Sequence, residues 1–434
     1  MAAGFEEFAI SWRKDVFDGA PQAGSAASFG TLGINFGARK PVAERESQPA
    51  SGGEMPPLSA GKGRSGDGFD VDAETLRDML ERGEPVAVVD VRKVEDRAEW
   101  SVPGSVHFDA YDALNAGDER AMDGLHLQGD VLVVTVCGRG RSSAVAADQL
   151  RRRGLKALSL ESGMKAWSLA WNTAGVPVSG SAAEVVQVRR TGKGCLSYLV
   201  ASGGEAAVVD ASVDPKVYLD LAEERDLAIT RVLDTHVHAD HLSRSRVLAE
   251  LTGATLHMPA GSQVSYPFAA LADGGELGIG EAKLRVIGTP GHTPESTSYL
   301  LDGGALLTGD TLFLSAVGRP DLGVGPEEVR EKARSLHASL GRLLSLDAGT
   351  LVLSGHTGEP VHFDGMPIAA TISEVRENTP LLGESEAAFE EKLVGNAAPT
   401  PENHERIVKM NRTGKWTEGD PAELEAGANR CAAG

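Results

Sequence analysis

Cysteine is scarce. Three residues in 434, Cys137, Cys195 and Cys431, are too few and too scattered for a disulfide framework, so a reducing compartment is the expectation. Each thiol must then be judged as a core residue or a reactive group. Long apolar runs are also missing, since no segment has the roughly 20 uninterrupted apolar residues of a membrane span. The first residues (MAAGFEEFAISWRKDVFDGA) carry Glu6 and Glu7 where a secretory leader has positive charge. A cytoplasmic protein is expected. Positive charge is in deficit: 42 Lys plus Arg against 62 Asp plus Glu leaves −20, which argues against nucleic acid or a membrane surface as partner. Glycine runs the other way, at 52 residues against a usual ~7%. Such an excess means either disorder or many tight turns where a backbone approaches something closely.

At roughly 150 residues per domain the length predicts two or three folded units. Residues 1–68 are rich in Gly, Ala, Ser and Pro without a sustained period and read as a mostly disordered extension. From Phe69 the texture changes. Val71 to Arg82 has helical spacing with Asp72 as N-cap, while VAVVDV (Val86 to Val91), VLVVTV (Val131 to Val136) and ALSL (Ala157 to Leu160) are buried strands. Strands alternating with helices predict a parallel α/β domain over 69–178. SGSAA (179–183) is a linker, and 184–434 forms a second domain whose closely spaced strands and intervening helices predict stacked sheets flanked by helices.

The segment VLVVTVCGRGRSSAVAADQLRRRG places Cys137 on a glycine-containing loop before a helix expected to begin near Ser142. Loop amides and the helix dipole favour a thiolate or a bound anion there, and Arg139 and Arg141 add positive charge. The plainer alternative is a core cysteine at a strand end. Cys195, in an apolar strand, reads as core, and Cys431, near the end of the chain, as more exposed.

Five of the 11 histidines fall in compact motifs: T-H-V-H-A-D-H (Thr235 to His241), T-P-G-H-T with His292, and S-G-H-T with His356, joined by L-L-T-G-D-T with Asp310. In an extended segment His236, His238 and Asp240 share a face, and His241 begins the next helix. Imidazole plus carboxylate suits Fe(II), Zn(II) or Mn(II), and the lack of cysteine in these motifs argues against a structural zinc site. His257, His337 and His404, each alone, read as structural.

Two resemblances follow. With V-V-D-V-R (Val88 to Arg92), V-P-G-S-V, C-G-R-G-R-S and G-M-K-A-W (Gly163 to Trp167), residues 69–178 resemble the rhodanese family of sulfurtransferases. The resemblance implies a persulfide on Cys137, cradled by the amides of Gly138 to Ser143, Gly140 and Ser142 among them, and helped by Arg139 and Arg141. Residues 184–434 resemble the metallo-β-lactamase fold, an αββα sandwich, through H-x-H-x-D-H. Within it they are similar to the persulfide dioxygenases through G-C-L-S-Y-L, T-G-D-T-L-F, G-R-P-D-L (Gly318 to Leu322) and N-R-C-A. That resemblance implies one Fe(II) per chain on His238, His292 and Asp310. His236, Asp240, His241 and His356 would orient those ligands, and Thr293 and Arg319 would contact substrate. Family members that use glutathione persulfide often have a tyrosine two places after the histidine matching His356, where this chain has Gly358.

The implied activity is bifunctional: a small-molecule thiol persulfide and O₂ become sulfite plus thiol, and sulfane sulfur moves between thiosulfate and thiol on Cys137. The alternative is a glyoxalase II-type thioester hydrolase with a dinuclear Zn(II) site fused to the rhodanese, for which all seven donors are also present. Self-association, the thiol carrier and the direction of sulfur flux stay open.

Overall fold

The computed structural model describes residues 68–127, 130–395, 400, 403–416, 421–427 and 430–433, and the strand assignments of 6–14 and 33–39. The chain divides into two compact units, Met1–Ala60 and Gly61–Gly434. In the first, Glu6–Lys14 pairs antiparallel with Gly33–Arg39. The disordered extension expected over 1–68 thus contains one strand pair, and its other positions through 67 lie outside the described residues.

In the second unit, five strands form a wholly parallel sheet in the order Asp70–Val71, Ala157–Leu160, Leu132–Val136, Val86–Asp90, Val106–His107. Adjacent residues point to opposite faces, so Val89 and Val133 pack under the helix Arg141–Arg152, while Val88, Val134 and the fully buried Trp167 fill the other side. Covered on both faces, each strand is a near-continuous apolar run. Asp72 caps the helix Ala73–Glu81 as expected, accepting from Thr75 N at 2.7 Å.

Two further sheets stack face to face. One has seven strands, from Ala269–Leu271 at one edge through Ala228–Leu233, Glu205–Val209 and Leu196–Ser202 to Asn172–Val176 at the other. Its partner has six, with Ala305–Gly309 beside Leu351–Ser354 near one end. Between them lies a core of Val200, Leu233, Leu284, Tyr299, Leu307 and Leu353; each such buried aliphatic side chain contributes ~1.5–3 kcal/mol. The helices Pro215–Glu223 and Ser245–Thr252 cover the outer face of the first sheet, and Pro326–Leu344, Ile372–Asn378 and Glu386–Gly395 that of the second. The layering is αββα. One boundary moves: the strand Asn172–Val176 pairs with Glu184–Arg189 in the seven-stranded sheet, so the chain leaves the first sheet's domain before 172 rather than at 178, and SGSAA is the turn between two paired strands. Among the described residues no helix is long and apolar enough to cross a membrane.

Candidate metal centre and cysteine loop

Strand ends of both stacked sheets deliver the donors to one place. Ala228–Leu233 feeds the T-H-V-H-A-D-H loop, Ala282–Gly288 the loop with His292, Ala305–Gly309 leads to Asp310, and Leu351–Ser354 to His356. The first loop is irregular throughout, because the next helix starts at Ser245; the extended run and the helical start at His241 expected from spacing are not found. Close backbone packing builds the floor. A Cβ on Gly355 would stand 2.6 Å from Asp310 Oδ1, which accounts for glycine there.

All seven donors are buried. His236, His292 and Asp310 converge, with Asp310 Oδ2 3.8 Å from His236 Nε2 and 3.7 Å from His292 Nε2. His238 stacks at 4.3 Å from the His236 ring but turns Nε2 to Asp210 at 3.1 Å, leaving Nδ1 for the centre. Here the expected triad is corrected: His236, not His238, joins His292 and Asp310, because Asp210 takes the far nitrogen of His238 and rotates its ring. Beside them, His356 spans two carboxylates, Nδ1 at 2.5 Å from Asp310 Oδ1 and Nε2 at 2.9 Å from Asp240 Oδ2, and His241 Nδ1 meets Asp240 Oδ1 at 3.0 Å.

Four buried donor atoms in this cluster have no hydrogen-bond partner: His236 Nε2, His238 Nδ1, His241 Nε2 and Asp310 Oδ2. Buried polar atoms without partners are rare in folded proteins, and four in one cluster fit a metal cation. Electrostatics divide the histidines: burial would lower His238 and His241, but Asp210 and Asp234 raise the first and Asp240 the second, to about 10. Burial holds the His236 imidazole well below its ordinary value and His292 below it, keeping both neutral as ligation needs. Burial alone would raise the Asp310 carboxyl, but the charge and hydrogen bond of His356 together with His236 and His292 outweigh it and keep the group ionised.

Several further residues reach the site in roles that the spacing did not assign to them. Cys195 is buried, yet its thiol donates to Asp240 Oδ2 at 3.4 Å and is no simple core residue. Cys431, expected to be exposed, is 2% exposed and lies beside Asp310 and His356. Asn411, on the helix His404–Thr413, donates to the carbonyls of His238 and His241. Glu425 accepts from Leu242 N at 2.7 Å and pairs with Arg190 and Arg244, both at 2.6 Å. Arg319, expected to contact substrate, is buried and held bidentately by Asp321, both bonds 2.7 Å. Thr293 does line a cavity of about 540 Å³ that opens at His292, together with Glu295, Glu328, Lys332, Lys409 and Arg412. His404, read as structural, also lines it.

In the parallel domain Cys137 is buried, with Gly140 N donating to its sulfur at 3.2 Å and Ser143 Oγ in hydrogen-bond contact with it at 3.3 Å. The helix begins at Arg141, one residue early, after Gly140 adopts φ +86°. Ser142 turns to Asn115 Oδ1 at 3.1 Å, while Arg139 and Arg141 are exposed beside the loop, and Gly138 faces open space.

Fold and donor cluster together define a metalloenzyme with a separate cysteine-loop domain ahead of it. The description Metallo-beta-lactamase superfamily matches residues 190–356, and Rhodanese-like domain matches residues 72–170. A hydroxyacylglutathione hydrolase of Anaeromyxobacter dehalogenans is 40% identical over 169 residues, 39% of this chain and 63% of that one. A probable metallo-hydrolase of Burkholderia pseudomallei is 30% identical over 228 residues, 42% of this chain and 75% of that one. The solved ETHE1 from Myxococcus xanthus is 31% identical with a TM-score of 0.47, covering 52% of this chain and 97% of that one. The chain belongs to the metallo-β-lactamase superfamily and carries a rhodanese-like domain before it.

The expectation of a persulfide dioxygenase is overturned here. Five curated relatives, 35–40% identical, are named hydroxyacylglutathione hydrolase, which favours the alternative. The chain spans about three fifths of the length of those hydrolases.

Proposed function

We propose that the metallo-β-lactamase domain is a metal-dependent hydrolase of glutathione thioesters. The observation that carries it is the set of four unpartnered donor atoms on H-x-H-x-D-H and Asp310, combined with the relatives' shared name. His236 and His292 with Asp310 would hold one ion, and Asp240 and His241 beside them a second, Zn(II) suiting both. Bound metal supplies a Lewis acid for the thioester carbonyl and a water of lowered pKa. The chain does the rest. Lys332, Lys409 and Arg412 offer charge for the two carboxylates of a glutathione moiety, and Glu295 and Glu328 for its ammonium. A cavity of about 540 Å³ suits a tripeptide thioester reaching inward to His292. His356, between Asp240 and Asp310, fixes both carboxylates for ligation. Metal analysis beside S-lactoylglutathione hydrolysis tests the reading: a pair of metal ions per chain with turnover is expected, and a loaded protein without turnover would overturn it.

The rhodanese-like domain is proposed to carry sulfane sulfur on Cys137. Support comes from the sulfur lying under Gly140 N at the start of the helix Arg141–Arg152, where amides favour an anion. A Cys137 persulfide formed on exposure to thiosulfate, seen by intact mass, is the test.

A further inference from the structure

The loop of Cys137 is not walled by its own domain alone. A cavity of about 210 Å³ is lined by Asp96, Gly138, Arg139 and Lys165 from one side and by Glu423 and Ala426, from the C-terminal segment of the other domain. That segment is fixed. Lys165 Nζ pairs with Glu423 at 2.8 Å, Lys193 Nζ donates to Glu425 O at 2.7 Å, and Glu425 is fully buried between Arg190 and Arg244. The domains meet tightly beside it. Trp100 Nε1 donates to Thr191 O at 3.0 Å, Gly192 N to Ala170 O at 3.1 Å, and a Cβ on Gly192 would collide with the Trp167 carbonyl. The Cys137 loop belongs to the same assembly, since Met164 N bonds Cys137 O at 2.8 Å and Lys165 N bonds Gly138 O at 3.1 Å.

Charge and size define what would enter. The cavity is below the usual range for drug-sized ligands of ~300–1,000 Å³, too small for a tripeptide. Most of its charges are spent: Lys165 on Glu423, Glu99 on Arg430 and Arg92 on Asp90. Arg139 and the Asp96 carboxylate have no hydrogen-bond or ion-pair partner among the described residues. One free cation and one free anion beside a sulfur-carrying loop match a thiol that bears both a carboxylate and an ammonium.

We propose that this two-domain cavity binds the acceptor of sulfane sulfur, a thiol of amino-acid size, and that the hydrolase domain's C-terminal segment sets the acceptor's size limit. The inference rests on the reading of Cys137 as the sulfur carrier. Thiosulfate loads the carrier: the Cys137 thiolate attacks the outer sulfur, the S–S bond breaks and sulfite leaves with the electron pair. The acceptor thiolate then attacks the outer sulfur of the persulfide, a new S–S bond forms, and the old pair returns to Cys137 Sγ. Neither step needs a further oxidant.

The test uses the full chain with thiosulfate as donor and three acceptors: cyanide, free cysteine and 3-mercaptopropionate. Ala426→Trp, which fills the cavity, is expected to raise KM for cysteine about tenfold or more, and by more than for cyanide, the smaller acceptor. Asp96→Asn is a milder variant, expected to raise KM for cysteine but not for 3-mercaptopropionate, which has no ammonium. No transfer to cyanide by the wild type would overturn the Cys137 reading itself. Transfer to cyanide with cysteine kinetics unchanged in both variants would overturn the cavity proposal alone.

Discussion

Asn411 donates its side-chain amide to the carbonyl of His238 at 2.9 Å, and to that of His241 at 2.8 Å, from a helix 170 residues further along the chain. Its Oδ1 accepts from Ser243 N at 3.0 Å, so one buried side chain holds the loop that supplies four of the metal donors. Asn411→Ala strands two carbonyls and an amide in a buried site, at ~1–3 kcal/mol for each stranded group. A lower denaturant midpoint and faster metal loss to a chelator are expected. Unchanged metal retention would show that the loop holds its shape unaided.

Glu425 ties the C-terminal segment to Arg190 and Arg244 with no exposure of its own. Removing one charge from a buried network leaves the others uncompensated, so Glu425→Gln is expected to cost ~3–5 kcal/mol by urea unfolding.

The same residue predicts an acid transition. Burial pushes the Glu425 carboxyl up, but Arg190 and Arg244 outweigh it and bring it from 4.5 to about 2. A folded value below the unfolded one means stability that is complete above the unfolded pKa and is lost as pH falls from there through the folded pKa. The urea midpoint of the wild type should therefore drop as pH falls below about 4.5, and Glu425→Gln should flatten this fall. A Gln variant with the wild-type pH profile would assign the transition to other groups.

Gly192 lies where the metallo-β-lactamase domain touches the rhodanese-like one, and a side chain there would overlap the Trp167 backbone carbonyl. Backbone cannot move aside as a flexible side chain does, so Gly192→Ala is expected to destabilise the junction by at least the ~1–3 kcal/mol of an overpacked core. Limited proteolysis between the domains, rising in the variant, is the readout, and an equally resistant variant would contradict the tight junction.

Cys137→Ser is expected to abolish sulfur transfer from thiosulfate and to spare thioester hydrolysis, since Cys137 lies in the core of the parallel domain and the metal donors lie in the other. Transfer persisting in the serine variant would place the sulfur on another thiol.

Much of this architecture was legible because local pattern decides it. The strands Val86–Asp90 and Ala157–Leu160 fall where the sequence predicts them, and Asp72 caps its helix. The seven donors were legible as motifs, but their division was not. Spacing put His236 and His238 on one face, whereas an irregular loop and Asp210, 28 residues upstream, decide which nitrogen faces the centre. Arg319 looked free until Asp321 closed on it. Asn411, Glu425 and Cys431 reach the site through tertiary packing of a C-terminal segment, which leaves no periodic trace. The strand Asn172–Val176, NTAGV, has no apolar run to announce it, so the domain boundary falls earlier than the linker composition suggests.

The central claim is that the clustered histidines and Asp310 hydrolyse a glutathione thioester with bound metal. Its most direct measurement is the rate of S-lactoylglutathione hydrolysis by the metal-loaded full chain beside His292→Ala and a chelated control. The account predicts turnover by the wild type that falls by at least about a hundredfold in both comparisons. No turnover by the loaded wild type, or turnover undiminished in His292→Ala, would contradict it.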